Sequence, residues 1–288
     1  MRPKFTLQEK LYDALSVAER AYIQDCVTEI NQDYRRNFNK IFSTLSRKLM
    51  SSKDQLISIE DDLSTTKLIV QHWTVLRLAR VFLISLIQDE RDTYCQFIEG
   101  LFKYGDLYEL EALYSALNIL EYPEEWINRC QEGIRSNMGF VQEAVIENNK
   151  YPYLYLDEKA WNQLVLKSFF TSKNVLKIFG LFERNNPALA DAIVDYIYER
   201  HSAKRHIHPI LWLLAIEYLP ERAILILQET LQQTEEILAR SVLYHVLQHN
   251  TVKYPYIIDL NQLSIHDILP FSEDILQAYK NGELCVQN

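Results

Sequence analysis

An all-α fold is what this sequence predicts: antiparallel helical hairpins stacked as an α/α superhelix of the HEAT-like solenoid type, or gathered into a compact helical bundle. Three observations carry that prediction. Only 6 glycines occur in 288 residues, too few for the tight turns of strand-rich folds or for phosphate-cradling loops. Helix start signals recur at short intervals along the chain. Strand-like alternation is nearly missing, with residues 256–260 the single weak candidate. At 48% hydrophobic and 24% charged residues the composition is that of a globular protein. A chain of this length buries a sizeable core without staples.

The elements follow in order. Ser16 and Glu19 have the spacing of a capping box, in which the hydroxyl takes an orphan amide and the carboxylate reaches back. Ser64 or Thr65 opens the next long run, and Thr74 restarts it. Asp89 precedes a helix that Gly105 ends in a left-handed cap. Asp106 opens a helix over 107–120, stopped by Pro123, and a short helix covers 124–133. Ser136 or Asn137 caps the next one. Residues 151–153 read as a loop, because proline disfavours helix at the residue before it. Asp157 caps a helix through Phe170, and Asn186-Pro187 is a cap followed by proline at the first helical position. His208-Pro209 and Leu219-Pro220 repeat the proline pattern, Thr234 opens a helix to about Gln248, and Ser272 opens the last. The domain reading is an N-terminal helical segment over 1–53, an acidic linker over 54–62, and a main helical domain over 63–288. No strict repeat at a fixed period is present.

Charge excludes some functions and suggests others. A net charge of −9 makes the chain a poor general binder of nucleic acid. Between residues 34 and 53, however, Arg35, Arg36, Lys40, Arg47, Lys48 and Lys53 occur without an acid. Phe38, Ile41, Phe42, Leu45 and Leu49 share one face there. Such a basic amphipathic helix packs its apolar face on its own core, grips an acidic partner, or makes weak contact with an anionic membrane through Arg35, Arg36, Lys40, Arg47 and Lys48. Residues 106–128 reverse the balance with six acids and no Lys or Arg. The four cysteines are scattered without metal spacing, which predicts reduced thiols. The N-terminus has no apolar signal segment, and no stretch has the length and apolarity of a membrane span. A cytoplasmic protein is the expectation.

No catalytic signature stands out, and neither a catalytic residue, a metal site nor a cofactor is expected. His201, His206 and His208 are surface-type histidines at a helix end, and His245/His249 lack a third ligand. Asp191, Asp195 and Glu199 line one helix face, which reads as solvated or paired with Arg200, Lys204 and Arg205. Magnesium binding by that stripe would need a facing set of carboxylates. On the helix after Asp157, Lys167 lies on a narrow polar stripe, while Asn162 lies beside Leu166 and Phe169. A buried Asn without partners costs about 1–3 kcal/mol, so Asn162 bonds a loop or a ligand.

One stretch carries a resemblance. Glu132-Gly133 with Arg135-Ser-Asn137, then Ala160-Trp161-Asn162-Gln163 with Lys167, then Gly180-Leu181 with Arg184-Asn185-Asn186-Pro187, and Asp195-Tyr196 with Glu199-Arg200 resemble the EboA family of bacterial helical proteins. Trp73-Thr-Val, Ala79-Arg80-Val81, Asp106-Leu, Glu109-Leu and Ala112-Leu-Tyr114 fit the same pattern. The resemblance is clear over residues 73–212. The N-terminal basic helix and the tail after about residue 250 find no clear counterpart. Phe182 and Glu183 depart from it, standing where an acid and a base are expected. The resemblance implies a link to a gene cluster that moves or processes secondary-metabolite precursors, beside a prenyltransferase-like membrane protein and TIM-barrel proteins. It supplies no catalytic residues. The candidate ligand- or partner-binding residues are therefore Arg135, Asn137, Asn162, Lys167, Arg184, Asp195, Glu199 and Arg200. The leading expectation is a non-enzymatic accessory protein that binds a metabolite or a pathway partner. Its rivals are a helical-repeat scaffold for other proteins and a magnesium-dependent enzyme of terpenoid type.

Overall fold

The computed structural model describes residues 3–59, 68–258 and 268–280. Those residues form fourteen α-helices, three short 3-10 turns and one two-residue β-pair. The all-α prediction holds. The residues divide into two compact units, 1–173 with 177–179, and 174–176 with 180–288.

The first unit runs α1 (Pro3–Ala14), α2 (Val17–Lys48), β1 (Leu56–Ile57), β2 (Trp73–Thr74), α3 (Val75–Ile84), α4 (Arg91–Tyr104), α5 (Leu107–Ser115), α6 (Ile127–Arg135), α7 (Gly139–Ile146), α8 (Tyr151–Tyr155) and α9 (Glu158–Phe170). Alternate helices touch in a row, α1 on α3, α3 on α5, and α5 on α7, while α2, α4 and α6 pack on their sequence neighbours α3, α5 and α7. That is how stacked helical hairpins bury one continuous core. The division expected at 54–62 falls inside this unit: α1 and α2 pack on α3, and Leu56–Ile57 pairs antiparallel with Trp73–Thr74. Residues 60–67, with Ser64 and Thr65, lie outside the described residues.

Most caps stand where the sequence puts them. Ser16 and Glu19 form the capping box of α2. Thr74 accepts the Arg77 N–H at the start of α3. Asp106 and Glu109 form a second capping box on α5. Asp157 accepts the Ala160 N–H at 2.7 Å on α9. The exceptions have local causes. Gly105 ends α4 with φ −64°, extended rather than left-handed. The side chain of Asp89 is occupied by Tyr34 and Arg35, and Glu90 is the cap residue of α4. Neither Ser136 nor Asn137 caps α7: Met138 holds the cap position, while Ser136 accepts the Met138 N–H. Residues 151–155 are a helical turn, because Pro152 sits in the first turn, where its missing N–H is not needed. Helix α5 stops at Ser115 and gives way to 3-10 turns at 117–119 and 123–126.

Helix α2 is broken at Asp33, which is extended (φ −158°, ψ 87°). Its carboxylate accepts the Arg36 N–H at 3.2 Å, so the basic half starts as a freshly capped helix. Phe38, Ile41, Phe42, Leu45 and Leu49 are all buried, while Arg35, Arg36, Lys40, Arg47 and Lys48 are exposed. The apolar face is thus covered by the protein's own core. The acids of 106–128 pair elsewhere: Glu109 with Arg80, Glu111 with Arg77, and Glu124 and Glu125 with Arg91.

The second unit runs α10 (Pro187–Ser202), α11 (Pro209–Leu214), α12 (Glu221–Gln233), α13 (Ile237–Asn250) and α14 (Glu273–Lys280). Asn186 accepts the Leu189 N–H at 2.9 Å, and His208 Nδ1 accepts the Ile210 N–H, so two of the three proline starts are side-chain capped; at the third, Pro220 is itself the cap residue of α12 and makes no side-chain cap. Helices α11 and α13 pack together, as do α12 and α13. Thr234 ends α12 as its C-cap rather than opening the next helix; α13 begins at Ile237 without a side-chain cap. Residues 256–258 form a turn rather than a strand, and 259–260 lie outside the described residues.

Candidate functional site

The first unit presents an open groove between α6 and α9, of about 330 Å³. Gln131, Ile134 and Arg135 of α6 form one wall at spacings of three and four. Ala160, Gln163, Leu166, Lys167 and Phe170 of α9 form the other at the same helical spacing. The opposite face of α9, with Trp161, Leu164 and Val165, is buried in the core. Gly133 lets α6 press onto α5 and α7: a Cβ there would stand 2.6 Å from Val145 Cγ2 and 2.7 Å from Tyr114 Cε1. The groove therefore inherits its position from the packed side of each helix.

Its charge is one-sided. Arg135 and Lys167 have no ion-pair partner among the described residues, and no carboxylate lines the groove. Other cations of the unit are engaged: Arg129 with Glu99 and Glu132, Lys173 with Glu143, Lys177 with Glu147. A second, larger groove of about 670 Å³ lies between α2 and α4. Its charged lining residues are already paired inside the protein, Arg35 with Asp89 and Glu109 with the Asp106 N–H. The α6–α9 groove is the better candidate for that reason.

The sequence candidates separate between the units. In the first, Arg135 and Lys167 share the groove. Asn137 is exposed in the loop after α6, and Asn162 is half-buried on α9, outside the groove lining. In the second, Asp195 and Glu199 are exposed on α10. Arg200 donates from Nε to the His206 carbonyl at 2.8 Å and lies over the Tyr196 ring. Arg184 follows a turn in which Phe182 and Glu183 are both exposed. The histidines have structural partners too: His201 with Glu229 and His249 with Glu217 at 3.1 Å each, and His245 stacked on Phe271. Burial, with His206 nearby, pulls His208 down to about 4. Among the described residues no group of three His, Cys, Asp or Glu is placed to hold one metal ion, so the Asp191/Asp195/Glu199 stripe has no facing ligand set there.

Comparison with known proteins decides the family. The model of the metabolite traffic protein EboA matches residues 4–216. The chain belongs to the EboA family. Neither a curated protein nor a solved structure gives a match. The EboA match begins well before residue 73, so the N-terminal segment, including the basic half of α2, is part of the family's pattern and not an addition to it. Packing of α1 and α2 on α3 is the physical reason: without them the side of α3 away from α5 would be uncovered. No helix is long and apolar enough among the described residues to cross a membrane.

Several EboA-like motif residues have clear structural work. Thr74 and Asp106 are caps, and Gly133 is the close-contact point of α6. Gly180 carries φ 73°, a left-handed conformation that glycine adopts without steric cost. Arg80 and Glu109, outside the candidate residues, form a buried ionic contact. Arg80 is 1% exposed, with Nη2 3.9 Å from Glu109 Oε1 and the guanidinium over the Phe42 ring. Its Nε and Nη1 have no hydrogen-bond partner among the described residues. One turn away, Arg77 donates to Ser115 Oγ at 2.7 Å and to Glu111 at 3.3 Å. Burial lowers Arg77 to about 10 and raises Glu111. The signal was in the sequence: two arginines three apart in the otherwise apolar α3, and three acids in and just before α5.

A buried ion pair this incompletely bonded adds little stability. Arg80→Met combined with Glu109→Gln, which removes both charges, is expected to leave the unfolding free energy within about 1 kcal/mol of the Glu109→Gln cap loss alone. Arg80→Met by itself is expected to cost about 3 kcal/mol, because Glu109 stays buried without its counter-charge. Urea denaturation of the single and double variants checks the order; a larger loss from the double variant than from Arg80→Met would contradict it.

Proposed function

We propose that this EboA protein is a non-enzymatic accessory protein of secondary-metabolite precursor traffic that binds a metabolite or a pathway partner through the α6–α9 groove. The observation that supports this reading is the groove itself: an apolar trough with two cations that form no ion pair among the described residues. Membership of a family described as metabolite traffic proteins supports the traffic part of the reading. Lys167 and Arg135 are the site residues; Asn162 and Asn137 are supporting positions on the same two segments. The groove opens to solvent, which also suits the second reading, a scaffold that docks a protein segment there. The exposed carboxylates of α10 carry no enzyme proposal, given the missing facing ligands.

The test is genetic and uses the full chain. A strain carrying Arg135→Ala with Lys167→Ala is expected to reproduce the metabolite profile of the deletion strain while the purified variant melts within about 2 °C of the parent, since surface changes are worth about ±0.5 kcal/mol. A wild-type profile from the double variant would refute the reading.

A further inference from the structure

Resting on that reading, we infer that the α6–α9 groove binds an anionic amphiphile: its negatively charged head lies between Arg135 and Lys167, and its apolar part lies on Ile134, Leu166 and Phe170. Four features of the groove lead there. Ile134, Ala160, Leu166 and Phe170 make the lining largely apolar, and Phe170 is 57% exposed. A concave, mostly apolar lining with a few polar groups placed in it is the make-up of a ligand site. The two cations lack ion-pair partners among the described residues, as do the exposed Arg36, Lys40, Arg47, Lys48 and Lys159 of the same unit, but Arg135 and Lys167 are the ones that line this apolar trough. The lining holds no carboxylate to repel an anion. Gln131 and Gln163 add amide donors that complete the hydrogen bonding of a phosphate- or carboxylate-like head.

The rival explanation of the cations is helix-end electrostatics. Arg135 and Lys167 both lie in the last turns of their helices, where a positive charge offsets the partial negative charge of the helix end. That accounts for one charge at each end. It does not account for an apolar trough between them. It also explains why two cations are needed: about half a unit of negative charge sits at each helix end, so a single cation would leave little net attraction. The size narrows the ligand. At about 330 Å³ the groove is at the small end of ligand pockets, about 300–1,000 Å³. It holds a head and a short apolar stretch, with the rest of any longer chain outside. The net charge of −9 makes nonspecific anion binding unfavourable, so binding here depends on these two side chains.

The experiment is calorimetric titration of the full-length protein with decyl phosphate below its micelle concentration. Saturable one-to-one binding is expected, weakened at least about tenfold by Arg135→Gln with Lys167→Gln, one order of magnitude being about 1.4 kcal/mol. Leu166→Ser is expected to weaken it similarly. Decyl maltoside shares the tail and inorganic phosphate shares the head; each is expected to bind at least about tenfold more weakly. Equal binding of decyl maltoside would remove the anionic head from the inference, and equal binding of inorganic phosphate would remove the tail; either overturns it. So would an absence of saturation, or an unaltered affinity of the double Gln variant. Vesicles of phosphatidylglycerol and of phosphatidylcholine separate the source: retention only on phosphatidylglycerol, lost in the double Gln variant, assigns the head to a membrane lipid, while decyl phosphate binding without retention assigns it to a free amphiphile. If no probe binds but the Ala strain still has the deletion profile, the ligand class is wrong and the groove's role stands. If the strain is also wild-type, both fail.

Discussion

Gly133→Val is expected to lower the unfolding free energy by about 4 kcal/mol, while Gly100→Ala raises it by about 0.5–1 kcal/mol. Both glycines sit inside helices, and their surroundings set the opposite signs. At Gly133 a Cβ would meet Val145 Cγ2 at 2.6 Å and Tyr114 Cε1 and Cδ1 at 2.7 and 2.9 Å. Those neighbours are buried, and Tyr114 is packed edge-on against Phe102 with ring centroids 5.1 Å apart. Neither yields without moving the α5–α6–α7 contact. Overpacking costs about 1–3 kcal/mol per site, offset by about 1 kcal/mol of helix propensity for Ala. Gly133→Ala therefore loses about 2 kcal/mol, and the two further methyls of Val add to that. At Gly100 nothing lies within 4 Å, so only the propensity gain remains. Urea midpoints of the three variants decide it; a Gly133→Val midpoint equal to the parent would refute the packing argument. Because α6 carries Arg135, a shifted α6 also moves one wall of the candidate groove.

The same glycine shows what was legible in the sequence. Caps are written locally, in one side chain and the amide two or three residues on, so Ser16, Thr74, Asp106, Asp157 and Asn186 read correctly. Where a side chain has a better distant partner, the local signal misleads. Asp89 resembles a cap, yet Tyr34 and Arg35, more than fifty residues away, hold its carboxylate. The role of Gly133 was not legible, because its reason is the Tyr114 ring and a methyl of Val145. The groove was half legible. Arg135 and Lys167 were candidates as polar residues in a motif stretch, but their shared trough depends on α6 lying beside α9. Lining residues such as Gln131 and Ile134 carry no local mark at all. The Arg80–Glu109 contact was visible only as charge in an apolar run, and a run of sequence does not say whether such a charge faces water or the interior.

Glu19→Ala is expected to cost about 4 kcal/mol, an unusually large effect for a residue whose sequence role is only a helix cap. The carboxylate does more than close the capping box with Ser16. Its Oε1 accepts the backbone N–H groups of Ser51 and Ser52 at 2.9 and 3.2 Å, and its Oε2 accepts the Ser52 hydroxyl at 2.7 Å. One buried side chain thus ties the start of α2 to the segment following its end. Losing the cap is worth about 1 kcal/mol. The two Ser52 donors are buried and would be left without an acceptor, at about 1–2 kcal/mol each. Glu19→Gln keeps an acceptor oxygen but turns an amide N–H₂ on the remaining donors, for an expected loss of about 2 kcal/mol. Burial by itself would raise the Glu19 pKa; the hydrogen bonds from Ser52, Ser16 and the amides outweigh it and hold the group below its ordinary 4.5. The linkage follows from that sign. A depressed folded-state value means the stabilisation is fully present above about 4.5 and is lost as pH falls through the lower folded value. Denaturation midpoints measured from pH 7 downward should therefore fall for the parent below about pH 4.5, and the gap to Glu19→Ala should close over that range. A gap that stays constant would show that the carboxylate's charge contributes nothing. A gap that never exceeds about 1 kcal/mol at pH 7 would reduce Glu19 to a helix cap. Without that tie, the connection from α2 toward β1 and α3 is held by fewer hydrogen bonds, and the N-terminal helices lose one anchor to the core they cover.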